Sequence, residues 1–574
     1  MFKLRKTSVF LFITGLFFAN AVFSATVDET LNQQSPAQIK PPQLNYLLRP
    51  ILRNDRVDLE VMLSYKPDSR TGETVGLPKD CYTVPDLPKY VTAFEGVSGT
   101  KITPGPNADE RKAFPAPDGT INLKYLLSFD PVAMDHYSFG PNLSADHFHV
   151  AGCQWMLRIG EEETVRPYKI KFITEPADWH FYWTLSAKPG SMDITDSYEN
   201  LASTAYGGTR GPYQKIEIEG HPVEIFTSNA FTISAAEIGD AVEKIIRLQR
   251  KQMNDNDFGF YHVVTLPRSN NIAGTAVDGL FVSFVKPEVQ KVDLYRNLSH
   301  EMFHNWLGDR IRVVDEDGAK EKRDFRFNWL HEGFTEQIAR SLIANAGLIK
   351  IEDFVNYVNR DLIDLADNPH ATFTYDQIAA ADTGGKWDSS FFKLSYTRGS
   401  LIGLNWETQL RRSSNGKIGL IDLVRDMHGG FGSQRVRLSP EEFFKKAAAF
   451  GIDAQQDFDR YIIKGESIAV TPDAFGSNYE LIKISRPRYD VGFDITQTIK
   501  SKIVTGVIEG GPAYQAGLRE GMKLIRTKNS ARFSNAWDSK SSLIVVVENA
   551  GAEKEITYWP HGQMIEVPQF IPKS

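Results

Sequence analysis

The chain has 574 residues, 41% of them hydrophobic and 24% charged, with a formal net charge of −7. That length exceeds what one hydrophobic core supports and predicts two to four domains. The composition argues against a disordered chain, and the acidic balance against a nucleic-acid binder.

Residues 1–25 stand apart. Lys3, Arg5 and Lys6 precede the apolar run SVFLFITGLFFANAVF, which ends in the small residues Ser24 and Ala25. The run is short and contains Gly15 and Asn20, and VFSAT offers small residues for cleavage. The pattern is that of a secretory signal peptide rather than a membrane anchor. No cysteine follows the run, and no later stretch is apolar for long enough to span a bilayer. The expectation is an exported protein, periplasmic or secreted, with no membrane span after removal of the signal. Losing its three positive charges takes the net charge from −7 to −10. The two cysteines, Cys81 and Cys153, then lie in a compartment where disulfides persist. A bridge would close a loop of about 70 residues and contribute about 4 kcal/mol on the chain-entropy argument. Two unpaired buried thiols are the alternative.

From Gln43 to Thr184 short alternating runs such as VDLEVMLSY, INLKYLLSF, FHVAGCQWML and YKIKFIT are separated by Pro, Gly and Asp clusters. They predict a β-rich, sandwich-like domain over residues 26–210. In DHFHV, His147 and His149 fall on one strand face; with no third ligand nearby, a surface or packing role is expected of them.

The texture then changes. KIEIEGHPVEIFTS reads as strands, and Ser234 to Glu237 forms a capping box opening a helix with Ile238, Val242, Ile245 and Leu248 at helical spacing. FYHVVTLP and GLFVSFVKP follow as strands. Helices dominate beyond Asp293, among them IEDFVNYVNRDLIDLA, RGSLIGLNWETQLRR, GLIDLVRDM and PEEFFKKAAAF, the last opened by a Ser439–Glu442 capping box with proline at the first helical position. Sheet first and helices second make residues 211–476 an α+β domain. After Ser477 short strands return in YDVGFDI, KIVTGVIEGGPAYQAGLREGMKLI and SLIVVVENAGAEKEITYWP, a third domain over 477–574.

The chemistry centres on NLSHEMFHNWLGDRI. On a helix, His300 and His304 lie one turn apart on one face, so both imidazoles reach a single ion, and Glu301 projects about 100° round on the flank of that face. Two nitrogens can thus bind Zn²⁺ while a carboxylate that is not a ligand takes the proton of a water acidified by the metal. By accident H-E-x-x-H appears in on the order of one such chain in a hundred. A catalytic zinc needs a third protein ligand and an open position. The candidate is Glu332 in NWLHEGFTEQIAR, with 27 residues between it and His304, on a helical stretch where Leu330, Phe334 and Ile338 recur at four-residue spacing. His331 and Glu336 are weaker alternatives, the latter expected in a supporting or surface position.

HEMFHNW followed by WLHEGFTE resembles the zinc peptidases that use two histidines and a distant glutamate, above all the glycyl aminopeptidase family, with the aminopeptidase N family more distant. Trp306 matches both; RIR from Arg310 resembles the first and WLG the second. The resemblance covers most of the mature chain and implies a multidomain α+β protein: an N-terminal β-sandwich-like domain, a thermolysin-like catalytic domain and a C-terminal PDZ module. It implies one Zn²⁺ per chain on His300, His304 and Glu332, Glu301 as general base, and peptide or polypeptide as substrate. In SYTRGSLIG, Tyr396 resembles the tyrosine these families place before a short basic-glycine turn, where its hydroxyl donates to the oxyanion; a core tyrosine at a helix start is the alternative.

There are departures. The wider group spends a strand glutamate on the substrate's free α-amine; matching the Gly-Leu pair of AGTAVDGLFVSF puts Phe281 there and leaves Asp278, next to Gly279, as the nearest carboxylate for substrate binding. The separation of 27 residues exceeds the 18 of aminopeptidase N relatives, and the charged VVDEDGAKEKRD reads as a solvated loop. In the last domain, Val491, Gly492 and Phe493 stand at the turn whose N–H groups in PDZ modules receive a peptide's C-terminal carboxylate, while Met522 stands where relatives often have aspartate. The expectation is an exported zinc metallopeptidase, either aminopeptidase or endopeptidase. A peptidase-like protein that captures polypeptides through its cleft and PDZ groove without cleaving them is the alternative, prompted by Phe281 and Met522.

Overall fold

Apolar alternation organises the first sheet. In Ile121–Leu127 and Val57–Tyr65 every second side chain is buried, as a sheet with one covered face requires. A computed structural model describes residues 41–573, except 68, 136, 138, 174–177, 188–189, 270–272, 278, 315–324, 384–388, 430–433, 529–541 and 550. The expected signal peptide, Asp278 and most of the charged insert before Phe325 lie outside the described residues. The chain divides into two compact units, Met1–Lys244 with Asp257–Asn305, and Ile245–Asn256 with Trp306–Ser574.

In the first unit a six-stranded sheet has the spatial order Ser191–Asp196, Arg166–Phe172, Leu44–Leu52, Val57–Tyr65, Ile121–Leu127, Val91–Gly96. All neighbours are antiparallel except Leu44–Leu52 with Arg166–Phe172. A four-stranded sheet, His180–Trp183, Ala205–Thr209, His147–Ala151 and Asn142–Leu143, shares one apolar core with it, including Leu63, Leu123, Phe148, Trp155, Trp183 and Tyr206. Each such buried large side chain contributes roughly 1.5–3 kcal/mol of transfer free energy. Cys81 and Cys153 are bridged, their Cα atoms 6.0 Å apart, which decides the alternative that the sequence leaves open.

His147 and His149 are packing residues. His147 is buried, its Nδ1 2.7 Å from Asp146 Oδ1 and its Nε2 2.6 Å from Asn142 Oδ1. Asn142 Nδ2 donates to Pro267 O, which fixes the amide with its oxygen towards the ring. His149 meets the Tyr182 hydroxyl, and burial pushes its pKa down to about 3, so it stays neutral.

A five-stranded sheet follows in the same unit, ordered Tyr213–Ile218, His221–Thr227, Tyr261–Pro267, Leu280–Val285, Ala273–Val277. Its three inner strands are parallel and the last is antiparallel to Leu280–Val285. Inner strands of this kind are covered on both faces, and all six residues of Leu280–Val285 are buried. The helix Lys291–Phe303 packs on Leu280–Val285 and Ala273–Val277. The helix Ala235–Met253 opens with the expected box: Ser234 Oγ accepts from the Glu237 N–H and Glu237 Oε2 from the Ser234 N–H.

The second unit is mainly helical. Trp329–Phe334 is a π-helical turn that runs into the helix Thr335–Asn345; Ile351–Asp367, Ser389–Ser413, Leu420–His428 and Pro440–Ala449 follow. Leu330, Phe334 and Ile338 all point inward, although the π turn breaks their regular spacing. A long two-stranded ribbon, Tyr479–Tyr489 with His561–Pro572, is hydrogen-bonded to Ile351–Asp367 through Asn359, whose side chain pairs with the backbone of Phe570, and through Asp367, which takes Arg486 and the Tyr489 N–H. A three-stranded sheet, Lys523–Thr527, Leu543–Asn549 and Ala552–Tyr558, encloses a core with Phe493, Val504, Leu518, Val545 and Ile556. Met522 packs against that core.

Three local expectations need correction. YDVGFDI is not a strand: the ribbon strand ends at Tyr489, and after a bend Asp494 caps the helix Ile495–Ser501. KIVTGVI is an irregular segment with a single bridge, Ile503 to Lys523. Arg398 and Gly399 form no turn, since they lie inside the 25-residue helix Ser389–Ser413. Among the described residues no helix is long and apolar enough to cross a membrane.

Candidate active site

The helix Lys291–Phe303 carries His300 and Glu301, and His304 follows as its C-cap. The 3.6-residue period stacks the two imidazoles, with their planes at 88° and their Nε2 atoms 3.1 Å apart. Two ring nitrogens aimed at one another at that distance need a shared proton or a shared cation. About 3.3 Å separates two nitrogens bound tetrahedrally at zinc distances, so the pair fits that ion. His300, His304 and Glu332 are the one group among the described residues that could hold a metal ion, with ligand atoms all within 4.8 Å of one another. Two neutral imidazoles and a carboxylate are the donor set of a catalytic zinc site with one position left for water or substrate.

Glu332 sits in the π-helical turn, 4% exposed. The turn lies against the helix Ser389–Ser413 through facing glycines, Gly333 and Gly399. Tyr396 is three residues before Gly399, half-buried beside Phe392, well inside the helix rather than at its start. Burial holds the Arg312 pKa below the ordinary arginine value, against the opposing pull of the Asp309 and Glu332 carboxylates. His331 is turned to other work: its Nε2 accepts from the Val313 N–H. Glu336 is not a surface residue. It is buried and paired with Arg340, which also binds Asp361, and Asp361 accepts from the Ser400 hydroxyl.

Glu301 is 7% exposed, with Asn297 Nδ2 donating to its Oε1 at 3.5 Å. Gly274, on the last strand of the five-stranded sheet, lies against the same carboxylate. Gly279 is the hairpin glycine between Ala273–Val277 and Leu280–Val285, with φ +74° and its carbonyl accepting from the His262 N–H. Phe281 is corrected as a substrate-contacting position: it lies on an inner strand, buried and edge-on to Tyr261. The departure that it represents is one of core packing. Val491 accepts from the Tyr558 hydroxyl, and the Gly492 N–H, at φ +77°, is given to Asp490 Oδ1 at 2.7 Å.

The sequence reading did not find the buried network past His304. Asp255 Oδ2 accepts from Trp306 Nε1 at 2.7 Å and from Arg310 at 3.0 Å, and pairs with Arg250 at 3.1 Å, whose guanidinium lies over the Trp306 ring. The available signal was an arginine on the apolar face of a helix, followed by an acidic turn.

Residues 293–402 match the family model of the M61 glycyl aminopeptidases. Among solved structures the chain is similar to an aminopeptidase N family protein from Idiomarina loihiensis, with TM-score 0.65 and 14% identity over 92% of this chain and 98% of that one. It is more loosely similar to an M1 zinc metallopeptidase from Deinococcus radiodurans, with TM-score 0.39 and 13% identity over 75% and 94% of the two chains. A similar loose likeness is to native yeast LTA4 hydrolase, with TM-score 0.41 and 12% identity over 75% and 69%. No curated protein matches the sequence. Residues 293–402 thus match an M61 glycyl aminopeptidase domain, and with the His300, His304 and Glu332 group this match makes the chain a zinc-dependent peptidase.

Proposed function

We propose that the chain is an exported aminopeptidase in which His300, His304 and Glu332 hold one Zn²⁺, Glu301 is the general base and Tyr396 donates to the oxyanion. The supporting observation is the convergence of three donor atoms, with a buried carboxylate next in sequence to one of them, inside a glycyl aminopeptidase domain. Zinc held there supplies Lewis acidity, acidifying a water and polarising the scissile carbonyl. Glu301 takes the proton of the attacking water and passes it to the departing amine. The Tyr396 hydroxyl donates a hydrogen bond to the charge that develops on the carbonyl oxygen. The Idiomarina protein, an aminopeptidase N family member by its name, is the likeness that favours release of amino-terminal residues over internal cutting.

Export rests on the basic and apolar opening of the chain, and amino-terminal sequencing of the mature protein checks it; retention of Met1 would overturn it. A PDZ-type role for residues 477–574 rests on the sequence resemblance and on the segment's own apolar core. For the activity, the zinc-loaded full chain is given a mixed peptide library and the products are read by mass spectrometry. Stepwise loss of amino-terminal residues, abolished by chelator and by Glu301→Gln, is expected. Internal cuts would overturn the aminopeptidase assignment, and full turnover by Glu301→Gln would overturn the mechanism.

A further inference from the structure

Gly274 lies on Ala273–Val277, the last strand in its sheet, which packs against the helix Lys291–Phe303. A Cβ built on Gly274 would fall inside the van der Waals envelope of the Glu301 side chain, meeting Cγ, Cδ and Oε1. The usual reasons for a strand glycine do not apply here. Gly274 has no positive φ, so its backbone suits any residue. It pairs in regular register with Ser283, so it marks no bulge. What the position requires is empty space. The three nearest atoms to that Cβ all belong to one flexible side chain, and none is backbone.

We infer that Gly274 is a positioning residue for the general base: its missing side chain is the socket in which the Glu301 carboxylate rests. Asn297 holds the carboxylate by a long hydrogen bond, and the bare strand at Gly274 sets how closely it approaches the sheet. This inference rests on Glu301 being the base. A methyl group at 274 is accommodated by moving the Glu301 tip, because that is the softest element in contact. The fold and the three metal ligands stay in place while the base is displaced, and a displacement of about 1 Å costs on the order of a hundredfold in rate.

The test compares Gly274→Ala, Thr275→Ala and Glu301→Gln in the zinc-loaded full chain, by zinc per chain, thermal melting, and kcat and KM on a peptide substrate. Gly274→Ala is expected to retain one zinc, to melt within about 3 °C of the parent, to keep KM within about threefold, and to lose about a hundredfold in kcat. Thr275→Ala, the next residue on the opposite face of the strand, is expected to keep kcat within about threefold. A parental kcat in Gly274→Ala with an inactive Glu301→Gln overturns the socket. Loss of zinc or of cooperative melting in Gly274→Ala also overturns it, since the Glu301 side chain would then not be what yields. Parental turnover in Glu301→Gln removes instead the reading of Glu301 as base.

Discussion

Gly333 and Gly399 face each other so closely that neither has room for a side chain. A Cβ on Gly399 would lie 2.7 Å from Gly333 Cα and would collide with the Trp329 carbonyl oxygen. This glycine contact joins the turn that carries Glu332 to the helix that carries Tyr396. Here, unlike at Gly274, the obstructing atoms are backbone, so nothing soft can yield.

Gly399→Ala is therefore expected to destabilise the chain by roughly 1–3 kcal/mol, as overpacking does, and to shift Glu332 enough to weaken zinc binding. Chemical denaturation measures the first effect and zinc competition against a chelator the second. A variant with parental values of both would show that the two segments part without consequence.

Arg340 pairs with both Glu336 and Asp361 in a buried cluster, and those two carboxylates hold it charged despite its burial. Arg340→Leu removes the buried guanidinium that both acids pair with. The expected loss is about 3–5 kcal/mol, read from urea unfolding. A loss under about 1 kcal/mol would mean that the cluster relaxes by protonation.

The Cys81–Cys153 bridge closes a loop with a sequence separation of 72 residues in the β-rich part of the chain. Reduction, or the Cys81→Ser/Cys153→Ser pair, is expected to cost up to about 4 kcal/mol and to lower the melting temperature. An unchanged melt in reductant would count against the bridge.

Asp364 introduces a pH dependence with a definite sign. Burial raises its pKa from the ordinary 3.8 to about 6; the Lys393 charge opposes this, and Asp361 and Asp367 add to it. A raised carboxyl contributes stability that is complete below its unfolded pKa and is lost as the pH rises through about 6. The wild-type chain should therefore lose stability between pH 4.5 and pH 7 at this site, on the order of 1 kcal/mol, and Asp364→Asn should flatten that fall. Melting curves at several pH values decide it; parallel profiles for the two proteins would exclude Asp364 as the source.

On the PDZ-type role proposed for the C-terminal segment, a peptide carboxylate at Val491–Phe493 would have to displace Asp490 from the Gly492 N–H. Asp490→Ala is expected to tighten binding of a peptide with a free C-terminal carboxylate, measured by fluorescence anisotropy against its amidated form. Equal binding of the two forms, or none to either variant, would remove the carboxylate role from this loop.

The corrections to the sequence reading share a cause. H-E-x-x-H at one-turn spacing places two imidazoles on one helix face wherever that helix lies, and Ser234–Glu237 and Ser439–Glu442 cap their helices through contacts three residues apart. Such features depend on backbone periodicity alone. The Gly-Leu pair puts Phe281 at a substrate position because two letters carry no information about which strand is inner and which is last in the sheet. YDVGFDI read as a strand because short apolar runs suit strands and irregular core segments equally.

The sequence by itself determined the local chemistry: two histidines and a glutamate on one turn of helix, a second glutamate in a later helical stretch, and an alternating β-rich first part. Only the tertiary structure decided that Glu332 joins the two histidines, that Cys81 meets Cys153, and that Gly274, Gly333 and Gly399 are glycines for want of space. The physical reason is range. Helical and strand periods act over a few residues and are written in the letters, whereas a void too small for a methyl group exists only once distant segments are packed at crystal-like density.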